Sequence, residues 1–310
     1  MKKTITTLLV LLLSANLFAE LKEYKTVSGI SGTLNSEGSA TLNNLMGLWS
    51  EAFKRKYPNV TVQIVGKGSS TAPPALIEGK SQLGPMSREM KSKEEDDFEK
   101  KFGYKPTKAG VAIDALEVFV HKDNPIKGMS LKDVYGACSS TYARGGKDVK
   151  TWGQLGQSGI WASKPIALYG RNSASGTYGY FQKVALNKGS FKSTVKEQPG
   201  STGVINSVAN DMGGIGYSGI GYKTAGVKAL PLSIEGKDYK EPTAANCLNK
   251  SYPLARVLYI YVNKKPGQEL DKLTKEFLKF VLSKEGQEIV AKDGYYSLPA
   301  KACEMFIKSL

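Results

Sequence analysis

A turn rich in glycine and hydroxyl side chains carries the residues best suited to chemistry in this sequence. It covers Gly170–Thr177, with the sequence Gly-Arg-Asn-Ser-Ala-Ser-Gly-Thr, between a short apolar run and a helix-like segment over 178–186. Hydroxyls and free backbone N–H groups at a helix start form an anion site, and Arg171 adds a forked, charged donor. The alternative is an ordinary helix cap, because Ser and Thr are preferred there. The turn alone leaves both interpretations open.

Three earlier segments have the same character. Gly38–Thr41 precedes a helical pattern, Gly66–Thr71 follows an alternating strand, and Gln82–Arg88 reads as a short strand with a hydroxyl-bearing turn. Ligands in α/β folds lie beyond the carboxyl ends of the strands. Several turns of one chemistry therefore predict a single site assembled from many loops.

The elements that must position these turns alternate between strand and helix. A helix after Thr41 is predicted from the i, i+3, i+4 spacing of its apolar residues, namely Leu42, Leu45, Met46, Trp49 and Phe53. Strands are predicted over 24–33, 60–65, 111–120 and 255–262, and C-terminal helices over 270–281 and 287–291. The alternation predicts an α/β fold with mixed, mostly parallel sheets flanked by helices.

One acid interrupts the apolar strand over 111–120. Asp114 lies among Val, Ala, Ile and Leu residues, and an acid inside such a strand is costly without a partner. If Asp114 has a structural role, it is expected to form an ion pair with Arg88 or Arg171.

The N-terminus has the features of an export signal. Lys2 and Lys3 precede an apolar run over 8–13, and small residues lead to Ala19. This is typical of a secretory signal peptide over 1–19 that is cleaved after Ala19. The mature protein is therefore expected to be soluble and exported, and 310 residues fit two domains or one large domain.

Charge and cysteine content narrow the class of protein. The formal net charge is +15, or about +13 without Lys2 and Lys3, which suits an anionic ligand or a lysine-rich solubilising surface. No dense basic block alternates with aromatic residues, so nucleic-acid binding is not expected. Export permits a disulfide, for which Cys138 and Cys247 are the favoured pair. The alternative is three buried thiols.

Patterns typical of enzymes and cofactor sites are weak or absent. The sequence has one histidine, His121, and no G-x-S-x-G, G-x-x-x-x-G-K-[ST] or H-E-x-x-H motif. Gly214–Gly219 matches G-x-G-x-x-G but looks like a strand. No catalytic residue, metal or cofactor is predicted, and a binder of a small anion remains.

In this light the chain resembles the periplasmic phosphate-binding proteins of ABC-type phosphate transporters. Four motifs carry the resemblance, and Gly214–Tyr217 and Tyr252–Arg256 add support. In chain order the four are Gly38–Thr41, Gly68–Thr71, Met86–Arg88 and Arg171–Thr177. The resemblance implies a two-lobed type II periplasmic-binding fold with hinge strands near 111–120 and 255–262. It places one lobe at 20–112 plus 256–310 and the other at 113–255.

The resemblance also implies a phosphate site in the cleft between the lobes. The expected residues are Ala40, Thr41, Leu42, Ser69, Ser70, Ser87, Arg88, Asp114, Arg171, Ser175, Gly176 and Thr177. Many relatives carry an aspartate after the serine of the third motif, where it accepts the proton of phosphate, but this chain has Arg88 there. Asp114 is the predicted replacement acceptor, and Glu89 is the second candidate.

The implied function is capture of inorganic phosphate and its delivery to an inner-membrane ABC permease by a monomer. Three alternatives remain open: a binder of another tetrahedral oxyanion such as sulfate, a periplasmic phosphatase, and a surface or adhesion protein that uses the fold without transport.

Overall fold

The computed structural model describes residues 21–141 and 144–310. The predicted signal peptide over 1–19 and its cleavage after Ala19 lie outside these residues. Within the described ranges, every helix falls short of the length and apolarity that crossing a membrane requires.

Strands and helices alternate along the chain. The strands are β1 Gly32–Glu37, β2 Val60–Val65, β3 Gly84–Met86, β4 Thr107–His121, β5 Met129–Ser130, β6 Ala167–Arg171, β7 Lys196–Gln198, β8 Gly214–Gly219, β9 Val227–Ala229, β10 Leu232–Ser233 and β11 Ala255–Val262. The helices are α1 Asn43–Lys56, α2 Ala72–Ile77, α3 Ser92–Phe102, α4 Leu131–Cys138, α5 Gly176–Val184, α6 Ser201–Ala209, α7 Ala244–Leu248, α8 Lys272–Val281, α9 Lys284–Lys292 and α10 Ala300–Ser309. The predicted α/β class, with mixed sheets flanked by helices, is confirmed.

The largest sheet has the strand order β3-β11-β4-β8-β6-β7, and β9 also pairs with β4. β1 and β2 form a parallel pair, and a bridge from Ser36 to Leu83 brings β1 beside the start of β3. Among the described strands, four neighbouring pairs are parallel and four are antiparallel. Every antiparallel pair includes β4 or β11, so the parallel arrangement holds away from these two strands.

Strand β4 joins two parts of the large sheet. Residues 107–115 pair with β11, and residues 116–120 pair with β8. The strands expected over 111–120 and 255–262 are therefore confirmed, and the first begins at Thr107. Whether the two strands act as a hinge, with the lobe boundaries given above, stays a prediction.

The apolar face of α1 lies in the core, as its spacing predicts. Leu45, Met46, Trp49 and Phe53 are buried, and the Trp49 indole donates to the Gly286 carbonyl oxygen at 2.9 Å. This burial fixes the N-terminus of α1, and with it the Gly38–Thr41 turn, against the rest of the fold.

Two expectations are wrong. The strand expected over 24–33 begins only at Gly32, because Tyr24 instead packs its ring among aromatic side chains. Cys138, Cys247 and Cys303 are separate buried thiols, so the favoured Cys138–Cys247 disulfide is absent. Burial raises the pKa of each thiol to about 12, which keeps it protonated and unreactive at neutral pH.

Candidate functional site

The turn after β6 leads into a capped helix. Ser175 caps α5, and its Oγ accepts from the backbone N–H groups of Thr177 at 3.2 Å and Tyr178 at 3.4 Å. Because this hydroxyl oxygen already accepts two protons, its own proton points elsewhere and can be donated. Ser175 can therefore cap the helix and also serve an anion site, because the capping bonds leave its hydroxyl proton available for donation.

The other hydroxyl-rich turns meet the start of α5. The Thr41 and Thr177 hydroxyl oxygens lie 2.8 Å apart, although 136 residues separate them. The Ser70 N–H donates to the Ala174 carbonyl at 3.1 Å. Three turns from distant parts of the sequence thus form one cluster.

Glycine at position 176 allows this approach. A Cβ atom there would lie 2.2 Å from the Ser69 Oγ and 2.6 Å from the Ser87 Oγ. The two serine hydroxyls are themselves 3.3 Å apart, and the Ser69 Oγ accepts from the Ser87 N–H at 3.0 Å. The turns carrying Ser69, Ser87 and Gly176 are therefore in direct contact.

We predict that Gly176→Ala weakens anion binding at least about tenfold while leaving the fold intact, because the new methyl group separates hydroxyls that must converge. Calorimetric titration measures the affinity. Gly179→Ala on the same helix is the matched control, since its Cβ would meet only ordinary contacts, 3.5 Å from the Arg88 Cδ. Equal affinities for the two variants would contradict the tight approach at Gly176.

Asp114 has a partner that the sequence analysis did not anticipate. Its carboxylate is fully buried and pairs with Arg256, whose Nε lies 2.8 Å and Nη2 2.7 Å from the Asp114 Oδ2. The Asp114 Oδ1 accepts from the Ile220 N–H at 3.0 Å. The expected pairing with Arg88 or Arg171 is wrong, because Arg256 lies opposite Asp114 in the antiparallel register of β11 and β4.

Arg256 links this pair to the hydroxyl cluster. Its Nη1 donates to the Ser87 carbonyl at 3.0 Å, and its Nη2 donates to the Thr177 Oγ1 at 3.0 Å. A charged donor of this kind forms a strong hydrogen bond in a buried setting. Arg256 therefore connects β4, the turn after β3 and the start of α5.

Arg171 is a buried cation without a carboxylate partner among the described residues. Its side chain is 1% exposed, its Nη1 donates to the Ser201 Oγ at 3.0 Å, and its Nε is unpaired. Burial lowers the pKa of the guanidinium, and the nearby charge of Arg256 acts in the same direction. Such an uncompensated charge calls for an anion.

Arg88 differs, because an acid neutralises it. Its two terminal nitrogens each lie 2.7 Å from an oxygen of Glu94, and its Nη2 also donates to the Ser70 Oγ at 3.1 Å. Within the part of the chain that the structure describes, Arg88 thus bonds to the hydroxyl cluster only through Ser70. Glu89, the second acceptor candidate, contacts Lys108 at the surface instead.

An open cavity of about 740 Å³ lies next to this region. Ala40, Asn43 and Asn44 line one side, and Ser201 and Tyr222 belong to the other. Because the Ser201 hydroxyl also accepts from Arg171, the cavity lies beside the residues that hold the buried guanidinium.

Comparison with known proteins decides the family. A family model described as a PBP superfamily domain matches residues 25–285. The phosphate-binding protein PstS of Pseudomonas aeruginosa is 58% identical over 292 residues, covering 94% of this chain and 90% of the relative. The chain belongs to the phosphate-binding proteins of ABC phosphate transporters, within the PBP superfamily.

Two further relatives agree with this family. PstS of Staphylococcus haemolyticus is 31% identical and covers 91% of this chain and 86% of the relative. The crystal structure of a substrate-binding protein assigned to a phosphate ABC transporter of Clostridium perfringens, with bound phosphate, has a TM-score of 0.72 and 28% identity. The alignment covers 86% of this chain and all of that one. These relatives are named as binding proteins rather than enzymes.

The family's motifs account for most of the cluster but not for all of it. Ala40 and Leu42 already use backbone groups: the Ala40 carbonyl accepts from the Tyr222 hydroxyl at 2.9 Å, and the Leu42 N–H donates to the Ser39 carbonyl at 3.2 Å. The expected site residues do not include Arg256, although it ends the supporting motif Tyr252–Arg256. Its signal was a basic residue at the start of the apolar strand β11, opposite a strand that carries a buried acid.

Proposed function

We propose that this protein is the extracytoplasmic substrate-binding component that captures inorganic phosphate and delivers it to an ABC permease. The observation that carries the proposal is Arg171, a buried guanidinium without a carboxylate partner in the described parts of the chain, at the end of the strand that leads into the turn with Ser175 and Thr177. Fixed neutral donors together with one unpaired cation suit a desolvated oxyanion. The protein is a binding protein, as its relatives are, rather than an enzyme.

The proposed ligand contacts come from the converging turns. Ser69, Ser175, Thr177 and Arg171 donate to the phosphate oxygens, Thr41 contacts the ligand beside them, and the close approach at Gly176 brings these groups together. Ala40, Leu42, Ser70, Ser87, Arg88 and Asp114 complete the proposed site around them.

Closure of two lobes around the ligand is part of the proposal. The lobes comprise 20–112 plus 256–310 and 113–255, and β4 and β11 cross between them. Bonds such as that between Thr41 and Thr177 then join the lobes, so a bound anion would stabilise the closed arrangement by adding donors from both sides. The protein acts as a monomer in the periplasm after cleavage near Ala19.

Titration of the purified protein with phosphate and with sulfate tests the function. The expected result is phosphate binding at about micromolar concentration or tighter, with no displacement by excess sulfate. Absence of binding to either anion would exclude the proposal. Tight binding of sulfate alone would mean that the site binds another tetrahedral oxyanion instead of phosphate.

A binder of a different tetrahedral oxyanion is the second candidate. It is favoured by one observation: Asp114, the expected acceptor for the phosphate proton, is engaged by Arg256 and the Ile220 N–H. A phosphatase finds no support in the same region. The His121 ring accepts from the Asp123 N–H within its own turn, so it does not serve the hydroxyl cluster as a base.

A further inference from the structure

Two pairs of hydroxyl groups lie at the centre of the proposed phosphate site. Thr41 and Thr177 are 2.8 Å apart, and Ser69 and Ser87 are 3.3 Å apart. A hydroxyl group has one proton and two lone pairs, so it can accept a proton from one neighbour while donating its own to another. The remaining partners of each hydroxyl decide which role it takes.

The role of Thr177 is set by Arg256. The guanidinium has no lone pair to offer, so the 3.0 Å bond between its Nη2 and the Thr177 Oγ1 can run only from arginine to threonine. Asp114 holds Arg256 in this position from the other side. Thr177 therefore accepts a charged donor, and its own proton is available for donation.

Thr41 has no such constraint on its hydroxyl. Its Oγ1 contacts the Thr177 Oγ1 and has no nitrogen donor among the described residues. The helix that follows does not use it either, because no side chain caps α1. The backbone is nevertheless held firmly, since Tyr222 and Tyr295 donate to the Thr41 carbonyl at 3.1 and 3.0 Å.

We propose that the Thr41 hydroxyl oxygen accepts a hydrogen bond from the O–H group of hydrogen phosphate. Thr41 is thereby the residue that distinguishes phosphate from sulfate. This inference rests on the proposed function. Thr41 then donates its own proton to Thr177, and Thr177 donates to another oxygen of the same ligand. Every proton in this chain has an acceptor, because the bond from Arg256 leaves Thr177 one lone pair for the Thr41 proton.

The carboxylates near the site are less suited to this role. Both oxygens of Asp114 are engaged, by Arg256 and by the Ile220 N–H. Glu94 forms two bonds to Arg88. A ligand proton facing only donors would be buried without a partner, which costs as much as a lost hydrogen bond or more. Thr41 removes that cost.

Ser87 is the competing hydroxyl, because among the described residues its Oγ also contacts only another hydroxyl, that of Ser69. Two differences favour Thr41. Its contact is shorter, 2.8 Å against 3.3 Å, and its partner is polarised by a guanidinium rather than by a neutral backbone N–H. The Ser87 alternative is retained as an outcome of the experiment.

The experiment measures the affinities of Thr41→Val for phosphate, arsenate and sulfate by the thermal stabilisation that each anion confers, which also detects weak binding. Phosphate and arsenate carry a proton at neutral pH, and sulfate does not. We expect affinity for the first two to fall about tenfold to a hundredfold relative to sulfate. Sulfate keeps the Thr177 donor, which the substitution does not remove.

Four variants make the result specific. Thr41→Ser restores the hydroxyl and should recover the discrimination. Ser69→Ala removes a donor and should weaken all three anions by similar factors. Selective loss of phosphate and arsenate in Ser87→Ala or Asp114→Asn, but not in Thr41→Val, overturns the proposal in favour of that residue. If the unmodified protein binds no phosphate, the proposed function itself fails, whereas unchanged ratios in Thr41→Val refute only the inference.

Discussion

Arg171→Gln is expected to lower phosphate affinity about a thousandfold, because it removes the charge and the forked donor together. Each hydrogen bond to a charged group contributes about 1.5–3 kcal/mol, and the guanidinium can supply two to an oxyanion. Calorimetric titration of the variant with phosphate, at fixed ionic strength, measures the loss. The phosphate affinity of Arg171→Lys should lie between those of the unmodified protein and Arg171→Gln, since lysine keeps the charge but not the planar fork.

The same substitution should not destabilise the protein without ligand. Arg171 is 1% exposed, has no carboxylate partner in the described ranges, and leaves its Nε unpaired. Burial lowers the pKa of this guanidinium because the charged form is poorly solvated. Gln carries no charge, so the free energy of unfolding in urea should stay the same or rise. A large fall in that free energy, parallel to the loss of affinity, would assign Arg171 a structural role instead.

Arg88→Gln is the matched control for Arg171→Gln. Arg88 is also mostly buried, but Glu94 neutralises it with two bonds of 2.7 Å. Its removal should therefore change phosphate affinity much less and should lower stability, because Glu94 loses its partner. Equal affinity losses in the two variants would show that net charge, rather than the unpaired guanidinium of Arg171, governs binding.

The fold could be predicted where the apolar residues follow a clear helical or strand periodicity. The apolar spacing from Leu45 to Phe53 gives α1, and the alternating residues of β11 give a strand with the bounds Ala255–Val262. The pattern fails where tertiary contacts replace it. Tyr24 lies outside any strand because its hydroxyl binds Tyr57 and Glu276. Helix α10 is not predicted, because Cys303 is its only buried residue.

The site could be predicted as a set of turns but not as a network. Hydroxyl and glycine residues mark their turns locally, so Thr41, Ser69 and Thr177 are identifiable from sequence. The pairing of Asp114 with Arg256 depends on the register of two antiparallel strands, which neither segment encodes alone. For the same reason, the direction of the Arg256 bond to Thr177 appears only once the strands are assembled.

Glu117→Gln is expected to produce the largest change in the pH dependence of stability. Glu117 is fully buried in β4, and neither of its oxygens has a hydrogen-bond partner among the residues described. Ser218, which faces it across the β4–β8 pair, also has an unpaired hydroxyl. Burial raises the pKa of Glu117 to about 8, with Lys223 opposing the shift and Asp114 and Glu241 adding to it.

The direction of this pH dependence follows from the number of protons that Glu117 binds in the folded and in the unfolded chain. Between the ordinary pKa of 4.5 and about 8, folded Glu117 keeps a proton that the unfolded chain has released. Its contribution to stability is therefore fully present below pH 4.5 and is lost as the pH rises to about 8, at up to about 1.4 kcal/mol per pH unit. Gln cannot ionise, so the variant should become more stable than the unmodified protein as the pH increases.

Urea unfolding of both proteins at several values between pH 5 and pH 9 measures this difference. The advantage of Glu117→Gln should grow by a few kcal/mol across the range and level off above pH 8. Glu51→Gln, on the exposed side of α1, is the matched control, because water solvates that carboxylate in both states and the difference should stay flat. Phosphate affinity should be unchanged in Glu117→Gln, since its oxygens contact none of the site hydroxyls. A difference that does not vary with pH would mean that Glu117 is solvated or paired in the folded protein, and the buried carboxyl in β4 would then exert no control over stability.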